Sequence, residues 1–529
     1  MRPFLTLHHP AKARGYYEAG LWQKDTFYTL LRENAGIAPE TIALIDGETA
    51  LSWQMLLERV DALAFELSSY GLRIGDRVCG WMSDRAEMVI TMLACAREGY
   101  VFNPSFHRSL PPAQLGQMLE RLSARVLVME DEAVSDQTRA QFSGILANIP
   151  SLRAIYTAGH FPRPAQNGNP WQDDPDAVCY LAHTAGSSGP PKCVMHSANT
   201  LLSNARELVR DWRLDREAVI YSISPLSHHI AWVAFCQWLL TGSRFVLNAP
   251  PQGCSTLDWI LQTKASYVLG VPTHALDILT EEAKRGCGFG AIKSFYLAAA
   301  LIPPELCEAL LARAITPQNI YGMIENSSHN YTMPHDSHRV LTTTCGRGGM
   351  AYQVRIFDEN DPDRELPHGQ VGQIGGKGAA LMLGYFNNQA ATETAFNRDG
   401  WFLSGDLGRM DAEGNLHIVG RLKDVIVRGG HYIYPEQIEQ LVMKYDNVTQ
   451  AACVPLPDAR LGERVCLVTN RPVQGEALSG YLRAAGLSRY DLPEFLLELK
   501  DLPLLPNGNI DKRQIIERLQ SQDLVPRAC

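Results

Sequence analysis

Short apolar runs of strand length alternate with helix-period segments as far as about Gly420, and few architectures accept that alternation. "ALIDGETALSW" (43–53) predicts a hairpin turning at Asp46-Gly47, because an Asp-Gly pair tolerates the positive φ of a tight turn. A helix follows with Leu56, Leu57, Val60, Leu63, Ala64 and Leu67 on one face, and Gly71 ends it. "DRVCGWM" (76–82) and "ARVLVME" (124–130) predict buried strands, with helices over 85–97 and 112–122 between them. Strands that recur after helices in this way make a mainly parallel sheet covered by helices. From Lys423 a compact set of strands and helices follows: "VIVRGGHYIYPEQIEQLVMKY", "QAACVPLPD" and "ERVCLVTN".

A chain of 529 residues exceeds one simple core, so two to four domains are expected. The pattern divides into a large α/β body over 1–421 and a smaller α+β domain over 422–529. Apolar content of 46% with 20% charged residues excludes disorder. A net charge of −9 argues against general affinity for nucleic acid or acidic lipid. The longest apolar stretch, 230–240, is too short to span a bilayer, and the first twenty residues hold no signal-peptide core. Twelve scattered cysteines without a C-x-x-C pair fit reduced thiols better than a disulfide framework or structural zinc. A soluble cytoplasmic protein is expected.

"YLAHTAGSSGPPKCVMHS" (180–197) carries the strongest chemical signal. An apolar strand runs into Thr184, Gly186, Ser187, Ser188, Gly189 and Lys192. Glycines let backbone N–H groups approach an anion, hydroxyls donate to phosphate oxygens, and a lysine adds a point charge. Neither the Walker A spacing nor the hydrolase G-x-S-x-G elbow is present. The competing reading is a solvent-exposed polar turn.

Further segments follow in order: "YGMIEN" (321–326), "GQVGQIGGKGAALMLGYFN" (369–387), "GWFLSGDLG" (400–408), "GRLKDVIVRGGHYIYPEQIE" (420–439) and "PNGNIDK" (506–512). With them the chain resembles the acyl-adenylate-forming superfamily of acyl-CoA synthetases, peptide-synthetase adenylation domains and beetle luciferases. "YYEAGLW" (16–22) is similar to the subgroup acting on medium-chain or alicyclic acids. The resemblance implies the adenylate-forming enzyme fold, with a multi-subdomain N-terminal body and a mobile C-terminal domain. It implies an ATP-dependent acid–CoA ligase that works through acyl-AMP, with ATP, Mg²⁺ and coenzyme A as cofactors. A small or medium carboxylic acid would be the substrate. The thiol acceptor would be CoA or, alternatively, a carrier-protein pantetheine.

By the same resemblance, Thr184, Ser187, Ser188 and Lys192 hold the β- and γ-phosphates, and Glu325 binds Mg²⁺. Tyr321 stacks on adenine, Asp406 accepts the ribose hydroxyls, and Arg421 donates to ribose or phosphate. His228 gates the acid pocket, which draws on 227–232, 271–276 and the stretch after Glu325. Ile230, Trp232 and Val271 suggest an apolar chamber there, whereas His229, Ser327, Ser328 and His329 suggest recognition of a polar group. Lys423-Asp424 is the hinge, and Gly429 and Gly430 line a channel for the pantetheine arm.

The chain departs from the family pattern at several positions. Asn509 stands where the pattern has a lysine that reaches the carboxylate and α-phosphate, so adenylation is expected to be impaired, by about 10²–10⁴. Lys512 lies about one helical turn away and is not expected to replace it. Ile324 replaces a threonine, Cys193 a glycine, and Ala298-Ala299 a pair of glycines. These changes keep open an adenylation-impaired nucleotide or acyl-AMP binder.

Overall fold

The computed structural model describes residues 4–107, 110–130, 144, 148–158, 170–184, 191–299, 302–429, 431–445, 448–505 and 510–529. It divides into two compact units. The first takes the described residues of Met1–Thr184, Lys192–Gln353 and Lys377–Glu393, and the second those of Ala185–Pro191, Val354–Gly376 and Thr394–Cys529.

Two sheets organise the first unit. In spatial order, the six-stranded one runs Ala154–Ala158, Val126–Glu130, Arg77–Met82, Val101–His107, Val178–His183 and Cys193–Ser197. Its first five strands are parallel and the last is antiparallel, pairing His183 with Cys193. Every residue of Arg77–Met82 is buried, as a strand covered on both faces requires. The eight-stranded sheet ends at one edge in Thr316–Met323 and Ser327–Tyr331, and at the other in the hairpin Ile42–Asp46/Thr49–Ser52 expected at Asp46-Gly47.

One helix begins where the sequence caps it. The Ser52 hydroxyl accepts from Met55 N–H at the start of Trp53–Ser69, and Gly71 follows its end at φ +66°. The helices expected over 85–97 and 112–122 run Ala86–Glu98 and Pro112–Leu122. His229–Thr241 is buried along nearly its whole length and is anchored by Trp238 stacked on Trp53 at 4.9 Å.

The second unit shows why period-two alternation matters. Ala451–Asp458 and Gly462–Thr469 pair antiparallel, with Ala452, Val454, Cys466 and Val468 on one face and Ala451, Cys453, Val465 and Leu467 on the other. Both faces are apolar, so each needs a cover. Ile438 and Val442 of Pro435–Val442 cover one, and Ile515 and Leu519 of Lys512–Gln520 cover the other. A separate four-stranded sheet holds Phe402–Met410 against Leu416–Arg421. All twelve cysteines are free thiols, and among the described residues no helix is long and apolar enough to cross a membrane.

Candidate active site

In the first unit, strand Val178–His183 delivers Thr184 and strand Cys193–Ser197 begins just after Lys192. Thr184 N–H donates to the Lys192 carbonyl at 2.9 Å, and Lys192 N–H donates to the Thr184 hydroxyl at 3.1 Å. This closes the neck of the phosphate-type loop and leaves Lys192 exposed. Gly186, Ser187, Ser188 and Gly189 lie outside the described residues.

Glu325 sits in the tight turn joining Thr316–Met323 to Ser327–Tyr331. Asn326 ties the turn by accepting from Met323 N–H at 3.0 Å, and Ser327 takes φ +54°. A Cβ on Gly322 would stand 1.8 Å from the Ser327 carbonyl oxygen, so only glycine fits there. Glu325 is 8% exposed, and its Oε1 accepts from the Tyr385 hydroxyl at 2.8 Å. The Lys192 ammonium lies 4.8 Å from the centroid of the same ring. Lys192 and Glu325 thus meet through one phenol.

Beneath this turn lies a pair of stacked histidines. His196 Nε2 donates to the Ile324 carbonyl at 2.6 Å while its Nδ1 accepts from Thr200 Oγ1 at 2.9 Å. His229 Nε2 contacts Ser327 Oγ at 3.0 Å and its Nδ1 contacts the Tyr180 hydroxyl at 3.3 Å. Burial holds His196 down to about 4 and His229 down to about 3, so both rings are neutral. His228, the gate residue of the resemblance, caps the helix start with its backbone and stands half-buried.

The pocket expectations divide. Ser328 bonds the Tyr296 hydroxyl, His329 stacks on Tyr352 at 4.3 Å, and both are buried. Trp232 is also in the core, donating to the Leu226 carbonyl at 2.6 Å. All three are buried, while Ile230 and Val271 are half-buried. Tyr321 is 8% exposed and meets His329 edge-on. Ala299 takes φ +65°, a conformation that the family's glycine would hold without strain.

The second unit brings together its own set. Asp406 and Arg421 are cross-strand partners, with Oδ1 and Nε 3.6 Å apart. Lys423 and Asp424 lie in the short 3-10 turn Leu422–Asp424, where burial lowers the Lys423 pKa. Gly429 turns the corner after Ile426–Arg428 at φ +59°, and Gly430 lies outside the described residues, as does Asn509. Lys512 pairs with Glu439 at 2.8 Å. Burial opposes its charge, yet Glu439, Glu436 and Asp424 raise its pKa well above the ordinary value.

The sequence reading missed Tyr385, His196 and Tyr180. Each lies in a segment that reading singled out (180–197 and 369–387), but nothing in sequence reveals that their partners are remote.

Residues 31–386 match the AMP-binding enzyme family. The chain is 28% identical to the 2-hydroxy-7-methoxy-5-methyl-1-naphthoate–CoA ligase of Streptomyces carzinostaticus, over 95% of each protein. It is 26% identical to the medium-chain fatty-acid–CoA ligase of Escherichia coli, over 99% of this chain and 96% of that one. Identity is 28% to the salicyl-AMP ligase / salicyl-S-ArCP synthetase of Mycobacterium tuberculosis, over 96% of this chain and 93% of that protein. The fold matches ATP-bound MatB from Rhodopseudomonas palustris with a TM-score of 0.82 at 22% identity, over 94% of this chain and 99% of that one. The motifs, the sheet architecture and a match over more than half the chain agree: the protein belongs to the AMP-binding, acyl-adenylate-forming enzymes and has their α/β fold.

Proposed function

We propose that this chain activates a small or medium carboxylic acid with ATP and passes the acyl group to coenzyme A. The observation that carries the reading is the meeting of Lys192 and Glu325 on Tyr385. In the first step a carboxylate oxygen attacks the α-phosphorus, an acyl–O–P bond forms, and pyrophosphate leaves. Two anions must approach, so charge neutralisation and alignment govern the barrier. Lys192, with the Thr184 hydroxyl at its side, supplies a fixed positive charge to the departing phosphates. When bound with ATP, magnesium would neutralise those phosphates further. Glu325 fits it as a hard oxygen ligand, and magnesium commonly takes only one or two protein carboxylates beside substrate phosphates.

Tyr321 would stack on adenine, and the Asp406–Arg421 pair would meet the ribose. His228 would border the acid pocket. In the second step the thiol sulfur attacks the acyl carbonyl and AMP leaves; Gly429 and Gly430 would leave room for the pantetheine arm. Residues 1–421 would bind nucleotide and acid, and 422–529 would turn about Lys423-Asp424.

The test is pyrophosphate release from ATP with a panel of alkyl, alicyclic and aryl acids. Release should depend on one class of acid, and Lys192→Ala or Glu325→Gln should lower it by about 10²–10³. Acid-independent release, or full activity in both variants, would reject the reading. A carrier-protein acceptor is the second reading, supported by the relative named as a salicyl-S-ArCP synthetase. Acyl-thioester on CoA in the same assay favours the first; acyl transfer only to a pantetheinylated carrier favours the second.

A further inference from the structure

Tyr385 belongs to a segment stitched to both halves of the first-unit site. Phe386 N–H donates to the Cys193 carbonyl at 2.7 Å, Leu383 N–H to the Met195 carbonyl at 2.8 Å, and Met195 N–H to the Gly384 carbonyl at 3.0 Å. On the other side, Met382 N–H donates to the Glu325 carbonyl at 2.7 Å. Tyr385 N–H is held by Thr392 Oγ1 at 2.9 Å, and the side chain is 5% exposed. The ring is therefore fixed by its backbone at the place where the strand after Lys192 and the turn of Glu325 converge.

Its two ends do different things. The hydroxyl donates to Glu325 Oε1 at 2.8 Å, and the ring receives the Lys192 ammonium 4.8 Å from its centroid. A lysine and a glutamate this close gain by pairing with each other, and a closed pair would present neither charge to a ligand. A phenol that binds the cation on its face and the anion at its hydroxyl holds both groups and keeps each turned to a ligand of its own.

We propose that Tyr385 is the positioning residue of the Lys192–Glu325 pair: its ring seats the ammonium for phosphate, and its hydroxyl orients the carboxylate for the divalent cation that accompanies it. This rests on the reading of Lys192 as a phosphate group and Glu325 as a metal ligand. Tyr385 itself touches neither acid nor nucleotide in this role.

Calorimetric titration of the full chain with ATP, in Mg²⁺ and in EDTA and without acid, separates the two functions. Tyr385→Phe keeps the ring and should leave metal-free ATP affinity within about twofold, while the gain in affinity from Mg²⁺ falls about tenfold, the scale of one hydrogen bond to a charged group. Tyr385→Leu should lose affinity under both conditions. A Tyr385→Phe protein with the unaltered magnesium gain overturns the proposal. So does one that loses ATP affinity equally in both buffers with a lowered melting temperature, which marks a purely structural residue. Glu325→Gln and Lys192→Ala are the controls. If neither changes ATP or Mg²⁺ dependence, the underlying site reading fails and takes the proposal with it; if both respond and Tyr385→Phe does not, only the proposal fails.

Discussion

Glu325 and Tyr385 lie 60 positions apart in the chain, and His196 lies 128 from the carbonyl it holds at Ile324. These separations explain what the sequence reveals at this site and what it hides. Thr184, Lys192 and Glu325 are legible because glycines, hydroxyls and charges cluster in contiguous motifs whose chemistry is local. Tyr385 and His196 act through remote contacts, so a lone tyrosine or histidine in sequence reads as packing. His196→Phe fills the space but strands the Ile324 carbonyl beside Glu325. A loss of about 1–3 kcal/mol is expected, with a weaker magnesium response in the same ATP titration. Asn509 rests on sequence alone, and neither the described fold nor the relatives support the expected impairment. Asn509→Lys in the pyrophosphate assay decides it, since an unchanged rate retires that expectation.

Elements were specified more plainly than contacts. The Asp46-Gly47 hairpin and the helix Pro112–Leu122 follow directly from turn chemistry and apolar period. The turn at Glu325 is less plain, because "YGMIENSS" contains no turn dipeptide; Gly322 and the left-handed Ser327 close it. Gly322→Ala drives a methyl into the Ser327 carbonyl and should cost several kcal/mol, read as a large drop in melting temperature and loss of Mg²⁺-dependent ATP binding. In the second unit, helix Pro435–Val442 lays Glu436 against the backbone of Gly420, and Oε2 has no hydrogen-bond partner among the described residues. Burial raises Glu436 to about 7, with Lys512 opposing and Glu439 and Asp424 adding to the rise. The folded state then holds a proton that the unfolded chain releases above about 4.5, so this unit loses stability as pH rises from about 4.5 through about 7. Glu436→Gln should raise the melting temperature at pH 8, by on the order of 2 kcal/mol in stability, and leave it nearly unchanged at pH 4. An equal effect at both pH values would refute this.

Across the whole molecule the α/β class was legible because buried parallel strands and their covering helices write distinct periods into the chain. The grouping into units was not: 354–376 and 394–421 pair among themselves in the four-stranded sheet yet group with the C-terminal part, which no local pattern announces. The first unit has an acid liability of its own. His183 and His196 are held down to about 4, and His229 and His329 to about 3, chiefly by burial. Below about 6.5 the unfolded chain takes up protons that these folded rings refuse, so stability falls by roughly 1.4 kcal/mol per ring per pH unit down to about 4. Hydrogen exchange of first-unit peptides should accelerate from pH 7 to 5 after correction for intrinsic rates, and unchanged protection would contradict the assignment. Adenylation of a carboxylic acid is the activity expected of the whole protein. Isotope exchange between pyrophosphate and ATP, run with the acid panel, addresses it without any thiol acceptor. Exchange that appears only with a particular class of acid, and collapses in Lys192→Ala and Glu325→Gln, is the predicted result. A chain that binds ATP with magnesium yet supports no exchange with any acid would contradict it.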